Sequence, residues 1–190
     1  MHAMPASGAH ANLQPSAWVQ RWSHLVPSGS RVLDVACGSG RHVRWFAARG
    51  CAVTAVDRDR AALEPLQRLA ETRVADIEGE PWPFAGQRFD AVVCTNYLWR
   101  PLLPTLVDAV DLNGVLIYET FAAGNETVGK PSNPDFLLRP GELLEAVGAL
   151  RVIGFEDGFA AAPDRYLQRI AAVREDPSTD RPRRWSLPVG

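Results

Sequence analysis

The chain has 190 residues, 46% of them hydrophobic, and its 22 acidic and 20 basic side chains give a formal net charge of −2 at pH 7. One soluble domain of that size buries about two-thirds of the surface its unfolded chain exposes, and a near-neutral surface offers no global basic field for holding a polyanion or an acidic membrane. No apolar run approaches the roughly 18 residues of a membrane span, and MHAMPASGAHANLQ lacks the basic and apolar regions of a secretory signal, so a cytoplasmic location is expected.

Residues 1–14 are small and polar and read as a flexible leader, 15–175 as a single domain and 176–190 as a tail carrying Arg181, Arg183 and Arg184. From Pro15 to Val26, the apolar positions Trp18, Trp22, Leu25 and Val26 form one helical stripe after a Ser16 cap. Pro27-Ser28-Gly29-Ser30 ends that helix, and Arg31 to Ala36 is a short apolar run of the kind that makes a buried parallel strand. The alternation then repeats, with a helix from Arg41 to Arg49, a strand from Ala52 to Val56, a helix from Arg60 to Glu71 and a strand from Arg73 to Asp76. A loop with Pro81, Pro83 and Gly86 leads to a strand over Phe89–Thr95, a helix over Pro101–Val110 and a strand over Val115–Thr120. Strand after helix after strand predicts an α/β fold: an open, doubly wound, mostly parallel sheet with helices on both faces. Residues 121–140 form a long Gly-, Asn- and Pro-rich loop, a helix spans Pro140–Ala149, and strands over Leu150–Asp157 and Tyr166–Arg174 flank a short turn as an antiparallel pair. Cys37, Cys51 and Cys94 are odd in number, lack C-x-x-C spacing and lie in apolar runs, so they read as reduced core thiols and no metal site is expected.

The run RVLDVACGSGRH holds the strongest chemical signal. After the first strand, Gly38 and Gly40 let the backbone turn into a helix close to a ligand. A dinucleotide fingerprint needs a third glycine where Val43 stands. Asp34 puts a carboxylate at that strand's carboxyl end, which suits a ligand with an ammonium group better than a pyrophosphate. Asp57, with Arg58 and Asp59 behind it, closes the second strand, where a carboxylate accepts from both ribose hydroxyls of a nucleoside. Asp76 closes the third beside Ile77, a pairing that suits an adenine amine and ring.

These motifs, with PWPFAGQRFDAVVCTN entering the fourth strand, resemble class I S-adenosylmethionine-dependent methyltransferases over about Arg31 to Val173. The loop after strand five followed by LLRPGELLEAV is similar to small bacterial enzymes of the tellurite-resistance group, from which no tellurium substrate is carried over. The resemblance implies a seven-stranded sheet whose last strand is antiparallel, S-adenosylmethionine as cofactor and methyl transfer as activity. It implies cofactor contacts at Asp34, Ala36, Cys37, Gly38, Ser39, Gly40, His42, Asp57, Arg58, Asp76, Ile77, Thr95 and Asn96. Ala36 departs from the glycine the family often has there.

The acceptor is expected at the carboxyl edge of strands four and five. TNYLWRP lacks the Asn-Pro-Pro-aromatic arrangement that grips an exocyclic or amide nitrogen, which disfavours DNA bases and glutamine. Tyr97 and Glu119 are the candidate catalytic groups, and both, with Arg100, Asn125, Glu126, Lys130 and Asn133, are candidate substrate contacts. Gly124 and Gly129 would hinge the loop over an acceptor. Compact size, weak net charge and the lack of a nucleic-acid module favour a small molecule. The alternatives are an RNA or protein methyltransferase using a basic face from the tail with Arg41, Arg44 and Arg49, and a non-catalytic S-adenosylmethionine-binding module. Val43 and Asp34 rank a nicotinamide oxidoreductase last. The sequence leaves the oligomeric state open.

Overall fold

A computed structural model describes residues 14–181 and 183–188, so the bulk of the expected leader, residues 1–13, lies outside the described residues. The seven strands are β1 (Arg31–Val35), β2 (Ala52–Asp57), β3 (Glu71–Val74), β4 (Phe89–Thr95), β5 (Val110–Phe121), β6 (Arg151–Ala160) and β7 (Arg165–Val173). They form one sheet in the order β3-β2-β1-β4-β5-β7-β6, with β7 antiparallel to both neighbours and the remaining pairs parallel. Helices cover both faces, as expected. Helices α1 (Ala17–Trp22), α2 (Arg41–Ala48) and α3 (Arg60–Leu63) bury Trp18, Trp22, Phe46 and Leu63 on one face. Helices α4 (Leu103–Asp108) and α5 (Glu142–Ala146) bury Leu106, Leu143 and Val147 on the other, with Phe84 from the loop before β4. Cys37, Cys51 and Cys94 are buried and free, and among the described residues no helix is long and apolar enough to cross a membrane.

Several boundaries differ from the sequence expectation for local reasons. The helix expected to run to Glu71 ends at Leu63, because Pro65 cannot donate to a continuing helix and converts the chain to a 3-10 turn over Glu64–Leu66. Strand β3 therefore spans Glu71–Val74 rather than Arg73–Asp76, leaving Asp76 just beyond the strand. The helix expected over Pro101–Val110 is a 3-10 turn over Arg100–Leu102 followed by the shorter α4, and α5 is likewise shorter than Pro140–Ala149. Strand β5 begins at Val110 instead of Val115. Asn113-Gly114 reads as a stop signal but forms an irregularity inside the strand, where the β4 register jumps from Phe89↔Val110 to Ala91↔Val115. Asn113 adopts φ +61°, and a Cβ on Gly114 would lie 2.9–3.0 Å from the carbonyl oxygens of Asp111, Asp90 and Phe89. The tail also returns to the fold: Trp185 packs against the α1–α2 core, and the Ser186 carbonyl bonds His24 Nε2 at 2.9 Å.

Candidate functional site

The parallel strands present their carboxyl ends along one edge, the usual ligand position of such sheets. A cavity of about 290 Å3 opens there. In strand order, its lining takes Asp76 and Ile77 from beyond β3, Asp57 from β2, Ala36 from beyond β1, Asn96 and Tyr97 from beyond β4 and Thr120 and Phe121 from β5, with Pro131 and Phe136 from the long loop. Seven of the expected cofactor and acceptor residues thus meet in one space: Ala36, Asp57, Arg58, Asp76, Ile77, Asn96 and Tyr97.

The turn after β1 is wound by three consecutive alternate residues in left-handed backbone, Ala36 at φ +52°, Gly38 at +51° and Gly40 at +75°. Asp57 locks this turn to β2. Its Oδ2 accepts the Gly38 N–H at 2.8 Å, and its Oδ1 accepts the Asp59 N–H at 2.9 Å. Asp59 in turn caps α3 by accepting from the amides of Ala61 and Ala62. Left-handed backbone costs a non-glycine residue about 1–2 kcal/mol, and a glycine there costs about 0.4–1 kcal/mol of unfolded-chain entropy. Ala36→Gly is therefore expected to stabilise by up to about 1 kcal/mol, raising Tm by about 2–4 °C in thermal denaturation. No rise would mean that the alanine side chain contributes packing that offsets its strain.

Asp34 is 1% exposed, and its Oδ2 has no hydrogen-bond partner. Burial raises its pKa to about 7 and nearby Asp57 adds to this, while Arg41 and the Val43 amide pull the other way. An orphaned buried carboxylate oxygen is what an ammonium group of a ligand would satisfy. Arg41, at the start of α2, donates from Nη2 to Thr95 Oγ1 at 3.2 Å. Burial lowers its pKa, and Glu119 and Asp34 resist that change.

The other expected residues build the surroundings instead of lining the cavity. The Cys37 side chain packs into the α1–α2 core, and Ser39 is exposed. His42 is buried and accepts the Ser16 N–H on Nε2 at 3.1 Å; burial lowers its pKa to about 3, so it stays neutral. Glu119 is buried in an ion pair with Arg169 at 2.6 Å and accepts from the Ser16 hydroxyl at 2.8 Å. Arg100 braces the long loop, donating to the carbonyls of Asp135 and Leu137 at 2.7 Å each and pairing with the buried Glu142 at 2.7 Å. Asn125 ties that loop together through Pro131 O and the Tyr166 N–H, Asn133 accepts from the Asp135 amide, and Glu126 accepts from the Gly124 amide. Lys130 is exposed.

Tyr97 reaches the cavity with a buried hydroxyl that has no hydrogen-bond partner. Burial, reinforced by nearby Glu78, holds its phenol well above the usual tyrosine range. It is therefore a proton donor and not a ready base, which narrows the role expected of it. Thr120, Phe121 and Pro131 were not singled out from the sequence. An aromatic residue at the carboxyl end of the fifth strand is the signal that points to Phe121, whereas Pro131 enters only through the path of the loop.

Comparison with known proteins agrees with this geometry. Residues 32–111 match the family model described as a methyltransferase domain. The chain is 31% identical over 200 aligned residues to the tRNA U34 carboxymethyltransferase of Alcanivorax borkumensis, covering 88% of this chain and 58% of that one. It is 37% identical over 76 residues to the ubiquinone biosynthesis O-methyltransferase of Alkalilimnicola ehrlichii, covering 37% of this chain and 31% of that one. A TehB-like SAM-dependent methyltransferase from Corynebacterium glutamicum has the same fold at TM-score 0.62 and 18% identity, over 83% of this chain and 87% of that one. The chain spans less than two-thirds of the curated relatives it matches. The fold is a Rossmann-like sheet with a cavity at the carboxyl edge of its parallel strands. Residues 32–111 carry a methyltransferase domain, and the chain has the fold of S-adenosylmethionine-dependent methyltransferases.

Proposed function

We propose that the protein binds S-adenosylmethionine at the carboxyl edge of the sheet and transfers its methyl group to a small-molecule acceptor. The observation that carries this reading is the cavity whose lining brings Ala36, Asp57 and Asp76 together with Phe121 and Phe136. The residues fit the cofactor: in the lining, Asp57 offers a carboxylate to ribose hydroxyls and Asp76 with Ile77 suits the adenine, while Asp34, buried and outside the lining, keeps an unpartnered oxygen that suits the ammonium. When bound, S-adenosylmethionine supplies an electrophilic methyl group on a sulfonium, displaced in line by the acceptor. The chain's own contribution is alignment. Tyr97 holds its proton and donates into the cavity, Arg100 fixes the loop that carries Phe136, and the apolar end excludes water.

The test is calorimetric titration with S-adenosylmethionine, S-adenosylhomocysteine and NAD. Saturable binding of the two adenosyl ligands without NAD is expected, and preference for NAD sinks the reading. The titration carries its own pH signature. Burial holds the folded-state pKa of Asp34 above the ordinary carboxylate range, at about 7. Its protonated form therefore stabilises the ligand-free fold fully below the unfolded pKa, and that contribution is lost as pH rises through about 7. A ligand ammonium prefers the ionised carboxylate, so affinity for S-adenosylhomocysteine is expected to climb, by at most about tenfold per unit, as pH rises from about 5 to about 7. Asp34→Asn should flatten that dependence; an equally steep profile in the variant would assign it to another group.

An RNA acceptor is the second reading, favoured by the likeness to a tRNA-modifying enzyme along most of this chain. It predicts tRNA binding whose affinity falls with salt and depends on Arg183 and Arg184.

A further inference from the structure

Charge is unevenly distributed over the lining of the cavity. Its ionised side chains, Asp57, Arg58, Asp76 and Glu78, all come from β2 or from the turns after β2 and β3. On the far side of β1, Leu98 from beyond β4, Thr120 and Phe121 from β5, and Pro131 and Phe136 from the long loop complete the wall. Thr120 supplies the one polar side chain among those five. In sheet order β5 stands three strands from β2 and four from β3, about 14–19 Å at about 4.8 Å per strand. Arg58, Asp76 and Glu78 are exposed, so solvent screens them over that distance. Tyr97 marks the boundary, since its hydroxyl is near enough to Glu78 for that carboxylate to raise its pKa.

The charged residues around the β5 side do not enter it. Glu119 pairs with Arg169, Arg100 with Glu142, and Glu126 accepts the Gly124 amide. Lys130 is exposed, and Lys130, Arg41 and Arg165 all lie outside the lining. The apolar wall is also built in advance. Leu138 donates to Phe121 O at 3.0 Å and accepts the Ala123 N–H at 2.9 Å, which ties the end of the long loop to the end of β5. Arg100 holds the carbonyls on either side of Phe136, and the buried Asn125 donates to Pro131 O at 3.0 Å. Gly124, expected as a hinge, is closed against the Tyr166 ring. Phe121 and Phe136 are half-buried, and among the described residues neither stacks on another ring of the protein.

We infer that the methyl acceptor places an uncharged, planar aromatic group of a small molecule against Phe121 and Phe136, with the Thr120 hydroxyl as its polar contact. With adenosine assigned to the β2 and β3 side, this is the part of the lining left for the acceptor. An ion placed there would lose its hydration without gaining a counter-charge, whereas a flat ring gains stacking contact. On transfer, a lone pair of the acceptor bonds the methyl carbon, the carbon–sulfur bond breaks onto sulfur, and the acceptor's proton passes to water. This inference rests on the methyltransferase reading above and names the acceptor class for it.

The full chain, saturated with S-adenosylhomocysteine near neutral pH, is titrated with four probes of similar size: 2-naphthol, the saturated decahydro-2-naphthol, anionic 2-naphthoate and cationic 2-naphthylmethylammonium. Binding of 2-naphthol is expected to be tenfold or more tighter than that of either ion and at least threefold tighter than that of the saturated alcohol. Phe136→Leu should erase the preference for the planar alcohol while S-adenosylhomocysteine affinity stays within twofold, and Phe136→Tyr should retain it. Equal or tighter binding of an ion or of the saturated alcohol, to a protein that holds S-adenosylhomocysteine normally, overturns this inference alone. So does a tenfold loss of S-adenosylhomocysteine affinity in Phe136→Leu, which would assign the ring to the donor. Displacement of 2-naphthol by unmodified tRNA would give the compartment to a nucleobase and overturn the small molecule as its occupant. Failure of the unmodified chain to bind S-adenosylhomocysteine overturns the methyltransferase reading and this inference with it.

Discussion

Asp57→Ala is expected to weaken S-adenosylhomocysteine binding by a hundredfold or more, beyond the range that calorimetry reads at ordinary protein concentrations. The carboxylate is half-buried at the tip of β2 and lines the cavity. Two ribose hydroxyls donating to it make charge-assisted hydrogen bonds of about 1.5–3 kcal/mol each, and about 1.4 kcal/mol is a tenfold change in Kd. A second loss adds to the first. The same carboxylate accepts the amides of Gly38 and Asp59, so its removal also frees the glycine turn that the ligand must approach. Asp57→Asn separates the effects. The amide oxygen can still accept from Gly38 but brings no charge, so an intermediate loss is expected. If Asp57→Ala folds, by circular dichroism, and binds within threefold of the unmodified chain, the ribose assignment fails.

The sequence discloses the framework because its signals are local. Buried parallel strands such as Phe89–Thr95 are short apolar runs, and their termini are marked by the residues that turn the chain. The residues expected to hold the donor are equally easy to place, since Asp34, Gly38, Gly40, Asp57 and Asp76 each occupy a strand end or the turn after one, and strand ends of a parallel sheet converge on one edge. Errors arise where one residue type serves two physical ends. Asn113-Gly114 has turn chemistry, yet here it accommodates close backbone approach within β5. Pro65 both ends α3 and moves the start of β3.

The acceptor end is less legible because its residues are assigned by partners far away in sequence. Glu119 meets Arg169 fifty positions away across the β5–β7 ladder, a pairing that needs the register and not just the strands. Arg100 finds Glu142 and the carbonyls of Asp135 and Leu137 from across the long loop, so a residue expected to touch substrate instead braces the loop that carries Phe136 to the cavity. His42 is spoken for by the Ser16 amide, which ties the start of α1 to the start of α2.

Glu119 is where the structural and chemical readings part most sharply. Its side chain is 3% exposed against 18% for Arg169, and it also holds the Ser16 hydroxyl that caps α1. Removing Glu119 leaves the mostly buried Arg169 only the more exposed Glu156 as counter-charge, at a cost near the lower end of that for breaking a buried pair, about 3 kcal/mol. Glu119→Ala is therefore expected to lower Tm by about 6–12 °C, taking about 2–4 °C per kcal/mol for a domain of this size. Replacing both members by apolar residues removes the stranded charge, so Glu119→Leu with Arg169→Leu should recover most of the loss. Glu119→Gln keeps an acceptor for Ser16 but not the ion pair, and should fall between. A catalytic Glu119 predicts another pattern: near-normal Tm in Glu119→Gln with a hundredfold fall in kcat, and no recovery in the double variant. Thermal denaturation of the three variants beside a methyl-transfer assay decides between them, and the buried ion pair favours the structural outcome.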